Sequence, residues 1–148
     1  MPMIDVYSTA GTFPDRKPLA TSLAKALMAI EAVPDIPMFR QNTAAFVHEL
    51  PENAISNVDG DGRYVRVQVL TNAGALDRSK QLEVVQQFTE IVCEAAEGYS
   101  LADRVWVLLT EAVDGGWGLW GHANTYAELV QAARAQIAEL SADSPTEG

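Results

Sequence analysis

Little in this sequence invites covalent or metal chemistry. It has a single cysteine, Cys93, so no internal disulfide can form, and two histidines, His48 and His122, too few for a structural zinc site. Cations are also scarce: 10 Lys and Arg stand against 20 Asp and Glu, a net charge of -10. Nucleic acid and anionic membrane surfaces both demand clustered Lys and Arg, so neither is expected as a partner. A small acidic ligand held by one or two local arginines remains compatible with that charge. No stretch approaches the roughly 20 consecutive apolar residues that cross a bilayer. The first residues also lack the basic region and long apolar run of a secretory signal, so a cytoplasmic location is expected. What is present is 148 residues at 48% apolar content, the composition of one globular domain.

The strongest positive signal is an internal echo. Ser8-Thr9-Ala10-Gly11-Thr12-Phe13-Pro14-Asp15-Arg16-Lys17 resembles Thr71-Asn72-Ala73-Gly74-Ala75-Leu76-Asp77-Arg78-Ser79-Lys80. Each follows a short β-prone run and opens a helical pattern, which implies two copies of one βαβ unit, over about residues 2–56 and 64–112. In the first copy a strand at Met3 to Ser8 leads into a helix with Leu19, Leu23, Leu27 and Ile30 on one face and Pro18 in its first turn. The prolines of Val33 to Pro37 end that helix, and Thr43 to Leu50 reads as the second strand. In the second copy Val65, Val67 and Val69 alternate with mostly polar positions. Asp77 then caps a helix carrying Leu82, Val85, Phe88, Ile91 and Val92 on one side. Arg104 to Thr110 is apolar at nearly every position and should be covered on both faces.

Two helices cover only one face of a four-stranded sheet. The other, with Leu70, Trp106 and Leu108 on it by alternation, needs a partner, and oligomerisation is the simplest supply. Beyond Gly115 to Gly121 the capping box Thr125-Tyr126-Ala127-Glu128 opens a third helix with Leu129, Val130, Ala133, Ile137 and Leu140. The expected fold is therefore α/β: two tandem βαβ units forming a mixed four-stranded sheet with helices on one face, plus a C-terminal hairpin and helix over 113–140. Residues 141–148 read as a polar tail.

Pro2 is the residue with chemical potential. If Met1 is removed, its nitrogen becomes a free secondary amine at the start of a strand, able to exchange a proton if its surroundings keep it neutral near pH 7. If Met1 stays, the same nitrogen is an amide without basicity. Proline after an initiator methionine is also a common β-edge feature.

Four elements together resemble the tautomerase superfamily over roughly residues 2 to 140. They are Pro2 opening a strand, the duplicated βαβ unit, Asp77-Arg78-Ser79-Lys80-Gln81 at the second helix start, and Val105-Trp106-Val107-Leu108-Leu109-Thr110-Glu111 leading into Gly116-Trp117-Gly118-Leu119-Trp120-Gly121. The resemblance implies a homotrimer whose sheets line a central barrel, acting on a small carboxylate-bearing substrate without cofactor or metal. It implies Pro2 as general base, Arg78 as the guanidinium that pairs a substrate carboxylate, and Trp117 as a wall that keeps water from the site. Arg40, just before the second strand, is a candidate to reach a neighbouring subunit's site, with surface solvation as its plainer reading. The activity implied is keto-enol tautomerisation of a 2-oxo or enol acid. A decarboxylase or hydratase on the same proline, and a non-catalytic trimeric binding module, are the alternatives.

Departures from the family pattern narrow this. Where decarboxylase and dehalogenase members carry a second arginine, this chain has Ala75 and Leu76, and the tyrosine and acid of the dehalogenases fall on Leu108 and Leu119. Hydrolytic dehalogenation is disfavoured. Each remaining signal has a plainer reading: Arg78 as a solvated first-turn residue, and Trp117 and Trp120 as part of a tight hairpin covering a subunit interface. His48 and His122 are ordinary polar positions, and Cys93 a small core residue. Asn57-Val58-Asp59-Gly60-Asp61-Gly62 mimics the start of a calcium loop, but Gln68 stands at the twelfth position, so a glycine turn is expected.

Overall fold

The computed structural model describes residues 1–97 and 100–144. Strand β1 (Met3–Thr9) is followed by helix α1 (Arg16–Glu31), a short helix α2 (Pro37–Gln41) and strand β2 (Ala44–Leu50). Strand β3 (Val65–Asn72), helix α3 (Arg78–Ala95) and strand β4 (Val105–Ala112) repeat the unit. A hairpin, β5 (Trp117–Leu119) and β6 (His122–Asn124), and helix α4 (Tyr126–Asp143) complete the described chain. The sheet order is β2-β1-β3-β4, with β1–β2 and β3–β4 parallel and β1–β3 antiparallel. The two copies of the crossover unit are thus joined edge to edge through their first strands.

The echo in sequence is an echo in backbone. Both copies leave their first strand through the same turn: Thr12 N–H donates to the Thr9 carbonyl at 3.1 Å, and Ala75 N–H to the Asn72 carbonyl at 3.1 Å. Gly11 and Gly74 sit at φ 91° and 76°, the region where only glycine is unstrained. Asp77 caps α3 by accepting from Lys80 N–H at 2.9 Å, as its position in the second copy predicts.

Alternation divides the sheet cleanly. Ile4, Val6, Val65, Val67 and Val69 face α1 and α3, where they meet Leu19, Leu23, Leu27, Val84, Phe88 and Val92 in one core. The opposite face carries Phe46, Leu70, Trp106 and Leu108, each at least a third exposed within this chain. That is the uncovered face expected from the strand pattern.

Three details differ from the sequence reading. The buried stripe of α3 is Val84, Phe88 and Val92, while Leu82 is 56% and Val85 39% exposed. A stripe written from Val85 is one residue out of phase, because Phe88 fixes the inward direction and Val84 lies one turn before it. The proline segment after α1 leads into helix α2, started by Pro37 in its first turn, where a missing N–H costs nothing. Its Met38 N–H donates to Gln136 Oε1 at 2.7 Å, tying it to α4. Finally, α4 runs past Leu140 to Asp143, and the rest of the expected tail, 145–148, lies outside the described residues.

The histidines also have partners that local spacing does not reveal. His48 Nε2 lies 2.6 Å from Asp5 Oδ1 on the neighbouring strand, and His122 Nε2 lies 3.0 Å from Glu128. The Asn57–Gly62 segment closes on itself: Asn57 Oδ1 accepts from the N–H groups of Asp59 and Asp61 at 3.0 and 2.9 Å. Gly60 there has φ 82°, consistent with the expected turn.

Candidate active site

Topology brings four chain segments to one end of the sheet. In a βαβ unit the helix returns antiparallel to the strand it follows. Seven residues of β1 span about 23 Å, and sixteen residues of α1 about 24 Å, so Glu31 at the end of α1 arrives back at the level of Met1. Because β3 runs antiparallel to β1, with Met3 opposite Leu70, the end of β3 and the start of α3 lie at this same level. Helix α4 closes the side. The result is a cavity of about 520 Å³ lined by Met1, Glu31, Asn72, Lys80, Tyr126 and Arg134, with apolar walls from Pro34, Phe39, Leu129 and Ala133 among others.

Its floor is the chain's own beginning. Met1 is 3% exposed and Pro2 is fully buried. The Met1 side chain packs with Ile36, Met38, Trp117, Leu129 and Ala133 in a second, smaller core beneath α4. The Met1 amino group stands 3.6 Å from Glu31 Oε2, with both side chains at most 5% exposed. Burial lowers the amine's pKa below its ordinary value, opposed by the Glu31 charge. Burial likewise raises the Glu31 carboxyl, against the opposing pull of the amine and Lys80. Both groups are therefore pushed toward their neutral forms, the condition for a proton to pass between them or through a molecule placed between them.

Glu31 is held firmly. The next residue, Ala32, has φ 57° and donates its N–H to the Ala29 carbonyl at 3.1 Å, ending α1 abruptly. Non-glycine residues adopt this left-handed conformation at a cost of roughly 1–2 kcal/mol, a strain of the kind that gathers at functional sites. Lys80 Nζ reaches across from α3 to donate to the Glu31 carbonyl oxygen at 3.2 Å, joining the two helix ends over the cavity. Arg134 from α4 is exposed at the rim and takes part in no ion pair among the described residues.

Trp117 is 6% exposed and touches the Met1 cluster from the hairpin side. The hairpin that presents it turns through Trp120 and Gly121, at φ 56° and 72°, the backbone of a two-residue primed turn. Buried Asn124 locks it, its Nδ2 lying 3.1, 3.1 and 3.0 Å from the carbonyl oxygens of Trp117, Leu119 and His122. Trp117 is thus a packed wall, and Trp120, 64% exposed, is the tip of the turn.

The candidate residues named from sequence are therefore placed unequally. Pro2 and Trp117 do not line the cavity themselves: Pro2 is buried behind Met1, and Trp117 packs in the Met1 cluster. Arg78 is exposed at the start of α3 and is not part of the cavity wall; Lys80 takes that place. Arg40 points away, 2.8 Å from Asp35, beside Lys17 and Lys25 on the outer side of α1. Glu31, Lys80 and Arg134 escape sequence reading because each sits in an amphipathic helix where a charged residue ordinarily faces water. The lengths of β1 and α1 are the signal that could have singled out Glu31, since they return it to the level of Pro2.

No family model and no curated relative matches this sequence. Solved structures do match its fold. A fused 4-OT described as a wild-type symmetric trimer aligns at TM-score 0.70 and 16% identity, covering 86% of this chain and 98% of the other. N1, a member of the cis-3-chloroacrylic acid dehalogenase family, aligns at TM-score 0.68 and 19% identity over 95% of this chain and 99% of its own. A macrophage migration inhibitory factor-like protein from Entamoeba histolytica aligns at TM-score 0.62 and 16% identity over 84% of this chain and 98% of its own. Agreement over 84–95% of the chain at this level of identity concerns architecture, and on that ground the chain shares the fold of these structures.

Proposed function

We propose that this chain, once Met1 is removed, is a keto-enol tautomerase acting on a small 2-oxo or enol carboxylic acid, with the Pro2 amine as general base. One observation carries the reading. On a tautomerase fold, the amino-terminal end is buried at the floor of a cavity of about 520 Å³, beside a carboxyl group and with two cations on the walls. Removal of Met1 takes one buried side chain out of the second core, a cost of about 1.5–3 kcal/mol. It adds that side chain's space to the cavity and exposes the Pro2 nitrogen there. A secondary amine in so dry a setting is disfavoured as an ammonium and available as a base near neutral pH.

The substrate carboxylate is held by Lys80 and Arg134, whose positive charges face the cavity from two helices. Pro34, Phe39 and Trp117 exclude water, and the withdrawn proton returns to a second atom of the same substrate. Arg78 contributes at most from the rim, and Arg40 is available only to a neighbouring copy. The uncovered sheet face with Phe46, Leu70, Trp106 and Leu108 supports a homotrimer, the assembly of the fused 4-OT neighbours. A second reading, decarboxylation or hydration with Pro2 as acid, has support in Glu31, because such chemistry needs an acidic group beside the amine. A third, a non-catalytic trimeric module, is favoured by retained Met1, whose side chain fills the space.

The test has two parts. Intact mass of purified protein is expected to lack Met1. The processed protein is then assayed on aryl and alkyl enol pyruvates, with Pro2→Ala expected to lose about 10²–10⁴ in kcat. Equal rates for wild type and Pro2→Ala would remove the base assignment, and turnover of a 3-oxo acid or an alkynoic acid in place of the enols would move the activity to the second reading.

A further inference from the structure

We infer that Glu31 is a second catalytic group, which exchanges the oxygen-bound proton of the substrate while Pro2 exchanges the carbon-bound one. This rests on the tautomerase reading above and adds to it the group that handles the oxygen.

Met1 marks the reaction space. Any atom that trades a proton with the Pro2 nitrogen must lie against it, in the volume now filled by the Met1 backbone. The Met1 amino nitrogen, separated from the Pro2 nitrogen only by Met1's own Cα and carbonyl carbon, is 3.6 Å from Glu31 Oε2. A molecule of a few atoms seated in that volume touches Pro2 at one end and Glu31 at the other. Keto-enol exchange needs two proton positions, on carbon and on oxygen, separated by a carbon–carbon and a carbon–oxygen bond, and the two groups flank a gap of that size.

The carboxyl is also isolated for the purpose. Its side chain is 5% exposed, and the amine is its only ion-pair partner among the described residues. Lys80 from α3 hydrogen-bonds the Glu31 backbone carbonyl and acts on the carboxyl only through its charge. From α4, Tyr126 and Arg134 face the cavity. A buried acid with no structural ion pair inside the protein other than a processed terminus has little reason to be there for stability, since burial penalises its charge.

In the enol-to-keto direction the Glu31 carboxylate takes the enol O–H proton as the protonated Pro2 delivers its proton to carbon. The O–H bond breaks, a C–H bond forms, the carbon–carbon double bond becomes single and the carbon–oxygen bond becomes double. Pro2 is left neutral and Glu31 protonated, and the proton passes back from Glu31 to Pro2 to restore the pair. The keto-to-enol direction is the reverse, with neutral Pro2 as base and protonated Glu31 as acid.

Glu31→Gln tests this in the processed protein. The variant is expected to lose about 10²–10³ in kcat with KM within about threefold. Its amide side chain carries no charge to hold a proton on the amine, so the Pro2 ¹⁵N resonance is expected to titrate about one pH unit or more lower than in wild type. Glu31→Asp, which keeps the charge but withdraws the carboxyl, guards against loss of folding and is expected to lose about tenfold in kcat. If Glu31→Gln or Glu31→Asp keeps wild-type kcat while Pro2→Ala abolishes turnover, the Glu31 assignment is overturned and the Pro2 reading stands. If processed wild type turns over none of the enols, the tautomerase reading fails and the Glu31 role falls with it.

Discussion

At the scale of residues, the cavity asks which cation binds the substrate. Arg78 is the cation that the resemblance in sequence singles out, but Lys80 lines the cavity and already spans to Glu31, while Arg78 is exposed outside the wall. Lys80→Ala is therefore expected to raise KM by about 10- to 100-fold, the value of a charged hydrogen bond to a carboxylate. Arg78→Ala is expected to change KM by less than about threefold, and steady-state kinetics on one enol pyruvate compares the two directly. The reverse ranking would return the anchor to Arg78. This part of the site is only half legible in the sequence. The two cations sit two residues apart on α3, and nothing in composition says which of two neighbouring helical positions faces inward. Pro2 is legible because loss of Met1 would turn its nitrogen into a free secondary amine. Glu31 is not, because an acid at the end of a leucine-striped helix looks like a solvated end until the helix length is set against the strand.

At the scale of elements, the hairpin matters most, since it delivers Trp117 to the Met1 cluster. Its turn places Trp120 at positive φ, a conformation unfavourable for a tryptophan, and Asn124 counters this by binding three carbonyls from inside. Asn124→Ala strips those carbonyls of a buried donor and is expected to cost about 1–3 kcal/mol in denaturant unfolding. It should also raise KM by loosening the Trp117 wall. A variant as stable as wild type would show that the turn is held by its strands alone. The glycines of the hairpin make it suspect from sequence, and the capping box of α4 is readable outright; Thr125 Oγ1 accepts from Glu128 N–H at 3.2 Å, and Glu128 accepts from Thr125 N–H at 3.0 Å. Helix α2 is not, because its docking depends on Gln136, a residue 98 positions away. The phase of α3 is hidden for a similar reason. Leu82 and Val85 are apolar enough to suggest burial, and only the placement of Phe88 against the sheet decides otherwise.

At the scale of the molecule, the duplicated unit explains both the fold and the uncovered sheet face of the chain. Strand alternation alone is enough to separate a face packed on α1 and α3 from one that carries Phe46, Leu70, Trp106 and Leu108. The second face is mixed as well as apolar: Tyr64 stacks on Trp106 at 4.3 Å, Tyr7 stacks on His48 at 4.6 Å, and Gln68 donates to Thr110 at 3.0 Å. Such a surface suits a packed interface with polar register points. Light scattering is expected to give a particle of three times the 16.0 kDa chain, and Leu108→Asp, which places an unpaired charge on that face, is expected to give the single-chain mass. A wild-type monomer would contradict the homotrimer. Catalysis in this scheme depends on the nitrogen beneath Met1. Its most direct test is the rate of enol pyruvate ketonisation by protein whose intact mass lacks Met1, compared with Pro2→Ala under the same conditions. The predicted result is a fall of about 10²–10⁴; a mass that retains Met1, or equal rates in the two proteins, would contradict it.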